Sequence, residues 1–368
     1  MRIICDSNLL SKICQNVQRA VSTKLTKIPA LEGLLIKTVD GGVSVTGYDM
    51  EMGTQIIVRA VVEECGEIVL NARHLCDILR MLPDNKVTIE CNSKQVCKIT
   101  SGEAEYSLVV YDASEYPELP TVSADHSVKI NKAILKDMIK KTIFAVATNV
   151  NDAVHTGIKF EISAKEITLA AVDGFRLAVR REAIDYNGDA VSFVVPAKTL
   201  NEIVKLSGDT DGDFEVSVGE RHICFTVNGF TVISRLLDGA FIDYRSVIPK
   251  TAKTTAKVDV KNLVDCIERT SLIITDKSKS PLKCTISANE VKLSSATAIG
   301  TATDRMAATV NGDGLDIGFN NRYALDALKA CDADEVRLEF NGATAPILIR
   351  PLDGESFVYL VLPVRLKN

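Results

Sequence analysis

The side chains best suited to chemistry in this chain are its acids, and the densest group of them lies in SGDTDGDFEVSVGE, residues 207–220. Asp209, Asp211, Asp213 and Glu220 follow the spacing of a calcium loop, which needs alternate oxygen ligands and then a glycine at a sharp bend. Phe214 stands where that glycine is required, and the VSV that follows reads as a strand. The stretch is expected to be a polar turn between a helix and a strand. A second interruption, AAVDGFRLAV at 170–179, breaks an alternating apolar run with Asp173, Gly174, Phe175 and Arg176. Strand interiors rarely tolerate glycine or unpaired charge, so this is either a packed turn or a surface offered to another molecule.

No other group of residues resembles a reaction centre. The ten cysteines include no CxxC pair, and the four histidines, His74, His126, His155 and His222, lie far apart, so no zinc pattern exists. P-loop, G-x-S-x-G and Rossmann glycine patterns do not occur. A repeat-built hydrolase or carbohydrate-active protein working through Asp173 and Asp209 would need a paired or recurrent catalytic group, and none is found. The opening MRIICDSNLL has no signal-peptide core, and no apolar run approaches the roughly 20 residues that span a bilayer. The expectation is a soluble cytoplasmic protein that uses no metal or cofactor and meets no membrane. A net charge of −5 speaks against nucleic-acid binding unless the basic residues gather on one face.

Their placement is set by an internal repeat. The hairpins GLLIKTVDGGVSV, GIKFEISAKEITL and PLKCTISANEVKL begin at Gly33, Gly157 and Pro281, each 124 residues after the last. All three alternate with period two on either side of a turn, the hairpin signature. VLNARHLCDILRML, VVPAKTLNEIVKLS and GFNNRYALDALKAC form a second matched block, each a short strand leading into an amphipathic helix. SNLLSKICQNV, NKAILKDMIKKTIF and KNLVDCIERTSL supply an earlier helix in each copy. Three tandem α+β domains follow, over residues 1–120, 127–248 and 256–368, each with two helices and about eight short strands.

At the start of the second helix the matched slots are Arg73, Lys198 and Arg322, all cationic. One such residue is an ordinary solvated helix face, but the same charge in three copies points to a shared polyanion. A purely structural β-rich scaffold does not account for it. The helices carry almost no aromatic residues and the chain has no tryptophan, so stacking on single-stranded bases is disfavoured and a duplex backbone fits better.

Three domains of this size, with AAVDGFRLAV, SRLLDGAFIDYRSVIP, NNRYALDAL and the terminal YLVLPVRL in this order, resemble the bacterial DNA polymerase III beta subunit family, the sliding clamps. The resemblance covers essentially the whole chain. It implies a non-catalytic processivity subunit in which a head-to-tail homodimer closes a six-domain ring, helices inside and antiparallel sheets outside. Such a ring encircles double-stranded DNA without reading its sequence, is loaded by a clamp loader and tethers the polymerase alpha subunit and other polymerases. The DNA-contacting positions implied are Lys24, Arg73, Asn149 and Lys198; Asn149 stands where glutamine is common, and Arg322 is added from the repeat. Ring closure would join an edge strand around Tyr106 and Leu108 to Leu272 and Ile273. A hydrophobic pocket between domains two and three would take a short apolar peptide, with matching positions His155, Val172, Gly174, Phe175, Arg176, Leu177, Ile242, Ser246, Val247, Asn320, Tyr323, Leu360, Leu362, Pro363, Val364 and Arg365. Val172, His155, Ile242 and Ser246 replace the usual threonine, leucine, proline and arginine.

The DGFR combination belongs to the middle copy alone. Asp49 repeats Asp173 in the first copy, which marks the aspartate as a turn former and leaves Gly174, Phe175 and Arg176 as the distinctive part.

Overall fold

The structure is a computed structural model that describes residues 1–22, 27–92, 95–123, 126–275 and 280–366. Each copy opens with a strand running directly into a helix: Arg2–Asp6 into Ser7–Val17, His126–Asn131 into Lys132–Lys140, and Thr254–Asp259 into Val260–Ser271. Where a strand ends in aspartate, the side chain caps the helix. Asp6 accepts from the Leu9 N–H and Asp259 from the Asn262 N–H, both at 2.7 Å. The second helices are Ala72–Arg80, Ala197–Ser207 and Asn321–Lys329. Asn71 caps the first of these through the His74 N–H at 3.1 Å, and Asn320 caps the last through the Arg322 and Tyr323 N–H groups at 2.9 and 3.4 Å. Each such cap contributes about 1 kcal/mol.

The three hairpins form at the repeat spacing: Gly33–Val39 with Gly42–Tyr48, Gly157–Ile162 with Glu166–Val172, and Leu282–Ser287 with Glu290–Thr297. A glycine heads the first two because the neighbouring strand comes too close for a side chain. A Cβ on Gly157 would lie 2.4 Å from the Val195 carbonyl oxygen, and one on Gly33 would lie 2.9 Å from that of Leu70.

Packing groups the strands into two units. One comprises Met1–Lys132 with Lys198–Leu236, the other Ala133–Ala197 with Leu237–Asn368. In the first, an eight-stranded sheet pairs Phe230–Arg235, from the middle copy, antiparallel with Met52–Arg59, from the first. In the second, a nine-stranded sheet pairs Arg176–Ala183, from the middle copy, with Phe357–Val361, from the third. Backbone ladders therefore cross the repeat boundaries, and the middle copy gives strands to both units. The first unit also holds a five-stranded sheet that ends at Ala104–Val109, and the second a four-stranded sheet that ends at Gly300–Ala307. Among the described residues, neither of these two strands has a neighbour on its outer side.

The acidic stretch is a turn, as its sequence suggests. The helix ends at Ser207 and a strand begins at Asp213, paired with Asn131. The ammonium of Lys132 donates to the Asp211 carbonyl at 3.3 Å and to Asn228 Oδ1 at 2.6 Å, so a lysine occupies the ground a cation would take. Among the described residues no group of metal-ligating side chains comes together.

Candidate functional site

The second unit carries an apolar surface organised by the turn that interrupts residues 170–179. Val172 and Leu177 are cross-strand partners, and the four residues between them reverse the chain. Asp173 Oδ1 accepts from the Phe175 and Arg176 N–H groups at 3.0 and 3.1 Å, and Gly174 takes φ 85°, a left-handed conformation that glycine adopts without strain. Asp49 does the same in the first copy, accepting from Glu51 and Met52 at 3.0 and 2.7 Å while Met50 takes φ 74°. In the third copy Thr297 Oγ1 receives the Ile299 N–H at 3.3 Å. The turn is thus common to the fold.

What belongs to the middle copy is the use made of Phe175 and Arg176. The Arg176 guanidinium lies 4.5 Å from the Tyr323 ring centroid and 5.5 Å from that of Phe144. Its Nε donates to Asp173 Oδ2 at 2.9 Å, and its terminal nitrogen pairs with Asp326. Arg176 is largely buried by these contacts and braces the turn against the helix Asn321–Lys329. Phe175 stacks on the same Tyr323 ring, at 6.1 Å between centroids. Asn320 holds the same ring by capping its helix through the Tyr323 N–H.

The segment that follows Val361 closes one side. The Leu362 N–H donates to the Phe175 carbonyl and the Val364 N–H to the Gly318 carbonyl, both at 2.8 Å, while Pro363 bridges Phe319. Gly318 makes this approach possible, since a Cβ there would sit 2.5 Å from the Val364 oxygen.

The short helix Tyr244–Val247 closes the other. Tyr244 is fully buried and donates to Glu161 Oε2 at 2.5 Å, and Arg245 grips both oxygens of the same carboxylate at 2.5 and 3.0 Å. Burial opposes ionisation of Glu161 but is outweighed by hydrogen bonds from Arg245, Tyr244 and Lys159, which hold its pKa at about 2. Nearby, the His155 and Phe241 rings are 4.9 Å apart, and His155 Nε2 accepts from the Ile242 N–H at 3.4 Å.

These contacts divide the expected docking residues into two layers. Val172, Leu177 and Leu360 are buried at 9%, 1% and 4% exposure in one cluster with Ala170, Val179, Tyr244, Leu348 and Val358. Phe175, Ile242, Val247, Leu362 and Val364 are apolar yet 58%, 40%, 40%, 38% and 38% exposed. Ser246, Arg365 and Gly174 are also exposed. Leu177 is therefore a floor under the surface and not a wall facing solvent, because its register opposite Leu360 points it into the sheet's packed side. The residues missed by sequence reasoning are supports: Tyr244 within the buried cluster, Glu161 that holds it, and Phe144 and Asp326 against Arg176.

The repeated cations also acquire a common geometry. Arg73, Lys198 and Arg322 are each the second residue of their helix, and none of the three helices has an acid in its first turn. A cation there opposes the helix dipole, so stability alone disfavours the placement, whereas an anion at the same point would be attracted by both. Arg73 lies beside Gln15, Gln18 and Arg19 on a polar recess of about 210 Å³. Lys198 pairs with Asp49, which the sequence did not foretell. Asn149 and Arg322 are exposed in the second unit, and Lys24 lies outside the described residues.

Tyr106 and Leu108 alternate half-buried with exposed neighbours on the edge strand Ala104–Val109. Leu272, 82% exposed, and Ile273 follow the helix Val260–Ser271, which lies against the other edge strand, Gly300–Ala307. Arg269 of that helix pairs with Asp304 of the strand at 2.6 Å.

The chain is similar to known proteins along its whole length. Residues 1–120, 129–243 and 245–365 match, in order, the N-terminal, central and C-terminal domains of the DNA polymerase III beta subunit. The beta sliding clamp of Bacillus subtilis strain 168 is 34% identical over 377 residues, covering 99% of this chain and all of that protein. The crystal structure of the DNA polymerase sliding clamp from Bacillus subtilis superposes with a TM-score of 0.96 at 33% identity, covering both chains completely. A putative DNA polymerase III beta subunit from Eubacterium rectale gives 0.96 at 31% identity, again over both whole chains. With every copy of the repeat matched in order and the whole length covered, this chain belongs to the DNA polymerase III beta subunit family.

Proposed function

We infer that the chain is a sliding clamp, a non-catalytic ring that encircles duplex DNA and tethers the replicative polymerase so that synthesis is processive. The observation that carries this reading is the pair of unmatched sheet edges. Twice within the chain the last strand of one copy pairs with a strand of the copy before it, as Phe230–Arg235 does with Met52–Arg59 and Phe357–Val361 with Arg176–Ala183. The first copy's equivalent last strand is Ala104–Val109, and the third copy's equivalent receiving strand is Gly300–Ala307, and both are open. A second chain placed head to tail satisfies both edges at once and yields another nine-stranded sheet. Carrying over the register of the internal joints sets Tyr106 opposite Ala302 and Leu108 opposite Gly300. Pairing would also remove two edges that otherwise invite aggregation, with exposed Leu272 covered beside them.

A closed homodimer holds DNA by topology, so its contacts can be weak and sequence-independent. Lys24, Arg73, Asn149, Lys198 and Arg322 are the proposed phosphate contacts, acting by charge alone. Polymerases and the clamp loader would dock an apolar peptide on the surface of Phe175, Ile242, Val247, Leu362 and Val364, with His155, Ser246, Asn320, Tyr323, Pro363 and Arg365 around it. Tethering then raises the polymerase's effective concentration at the primer end. We assign clamp domains to 1–120, 127–248 and 256–368 and the cytoplasm as the site of action. No helix among the described residues is long and apolar enough to cross a membrane.

The test is to load the protein onto nicked circular DNA with a clamp loader and ATP and then linearise the circle. Retention on circles with loss from linear ends is expected; equal retention on both would overturn the topological reading.

A further inference from the structure

Behind the short helix Tyr244–Val247 lies a recess of about 420 Å³ with an excess of positive charge. Arg181, Arg245, Lys250, Arg337 and Arg350 line it, against the carboxylates of Glu339 and Glu355. Arg337 and Arg350 are direct cross-strand partners, a like-charge pairing that is unfavourable unless an anion lies between them. Glu339 fills that role in part. It accepts from Arg337 Nε at 2.9 Å and lies 3.2 Å from Arg350 Nε, yet the Arg350 N–H is buried without an aligned acceptor. Arg181 bends over the rim to the Glu355 carbonyl at 3.1 Å. Guanidinium forks held this way are shaped for planar oxyanions.

We propose that this recess receives the carboxylates of an acidic segment flanking the apolar peptide docked next to it. The inference rests on the docking surface proposed above. The two regions share one element: Val247 and Arg245 stand two residues apart on the same short helix, and Ile248 packs against the buried cluster under the docking surface while lining the recess. Glu339 and Glu355 already seat carboxylates among these cations and Glu161 holds Arg245 from outside the recess, so five cations meet three carboxylates and charge is left for more. A partner whose apolar residues cover Val247 and whose acidic residues continue past Arg245 gains charge-assisted contacts without a new apolar surface.

The experiment uses the full chain and two synthetic peptides, an apolar docking peptide alone and the same peptide extended by three aspartates, tried at each end. Fluorescence anisotropy at low salt should show one extended peptide binding about tenfold tighter, the effect of one good interfacial charge pair. The gain should shrink with added salt and vanish in Lys250→Glu and, independently, in Arg337→Gln, while the unextended peptide binds both variants as it binds the parent. Circular dichroism melting of each variant separates lost charge from lost fold. If the unextended peptide binds but neither extension gains affinity, or if the gain survives both variants, the recess reading is overturned and the docking reading stands. If neither peptide binds, the docking reading falls and takes this one with it. If the recess instead engages a duplex oligonucleotide that Lys250→Glu releases, with no peptide gain, the ligand is a phosphate backbone and the proposal is wrong.

Discussion

The guanidinium of Arg176 lies over the ring of Tyr323, 4.5 Å from its centroid, and joins a turn of the middle copy to a helix of the third. Two carboxylates, Asp173 and Asp326, fix its orientation. Arg176→Ala is expected to weaken docking-peptide affinity by about 1–2 kcal/mol through loss of the cation–π contact and the brace. Arg176→Lys should recover little, because an ammonium cannot reproduce the fork. Calorimetric titration with the peptide checks both, and normal binding by the alanine variant would reduce the turn to a local packing detail.

The two layers of the site should separate in mutants. Phe175→Ala removes an exposed ring and should cut peptide affinity with a melting temperature near that of the parent. Leu177→Ala empties a buried position and should cost about 2–5 kcal/mol of stability. Parallel melting and binding curves decide this, and equal stability losses in the two would refute the layering.

Glu161 makes the fold acid-sensitive in a defined window. Its pKa falls from 4.5 to about 2 on folding, so its contribution is present above pH 4.5 and is lost as the pH falls towards 2. Glu161→Gln should flatten that part of the stability-against-pH curve in urea titrations and loosen the helix bearing Val247. A parallel curve for parent and variant between pH 4.5 and 2 would exclude the role.

Much of this was legible in the sequence because the repeat multiplied the signal. The slot shared by Arg73, Lys198 and Arg322 stands out at a spacing of about 124 residues, and so do the three hairpins. Asn320 could be assigned to the site by resemblance, although its work as a helix cap needed the backbone. Pairs such as Tyr244 with Glu161 or Arg176 with Asp326 span 83 and 150 residues and obey no local period, so no pattern announced them. Burial of Leu177 was likewise hidden, since an alternating strand has two faces and only its neighbour across the sheet decides which is inward.

The DNA contacts should differ in strength. Arg73→Ala is expected to lower the slope of log affinity against log salt by up to about 2, about 1 for each of the two copies in the ring. Lys198→Ala should lower it by less, because Asp49 already offsets that charge. Binding of the closed ring to a short duplex across a salt series measures both, and a larger effect at Lys198 would contradict the pairing.

Ring closure should respond to charge at one exposed point. Leu272→Asp leaves the folded chain intact, since the side chain is 82% exposed, but buries a carboxylate if the joint forms beside it. Sedimentation should then report monomers that keep the parent's circular dichroism spectrum. A dimer of parental strength would move the joint elsewhere.

The ladders that run across the repeat boundaries limit how this polypeptide can be taken apart. Excising the middle third would sever Phe230–Arg235 from Met52–Arg59 and Arg176–Ala183 from Phe357–Val361, leaving two raw strand margins and no compensating core. The sequence repeats in thirds, but the chain packs as two blocks that each combine strands of different copies. A copy that drifts in sequence must therefore stay compatible with its neighbours along the hydrogen-bonded seams, which leaves helix termini and turns such as Asp173–Arg176 as the places where new binding properties can arise.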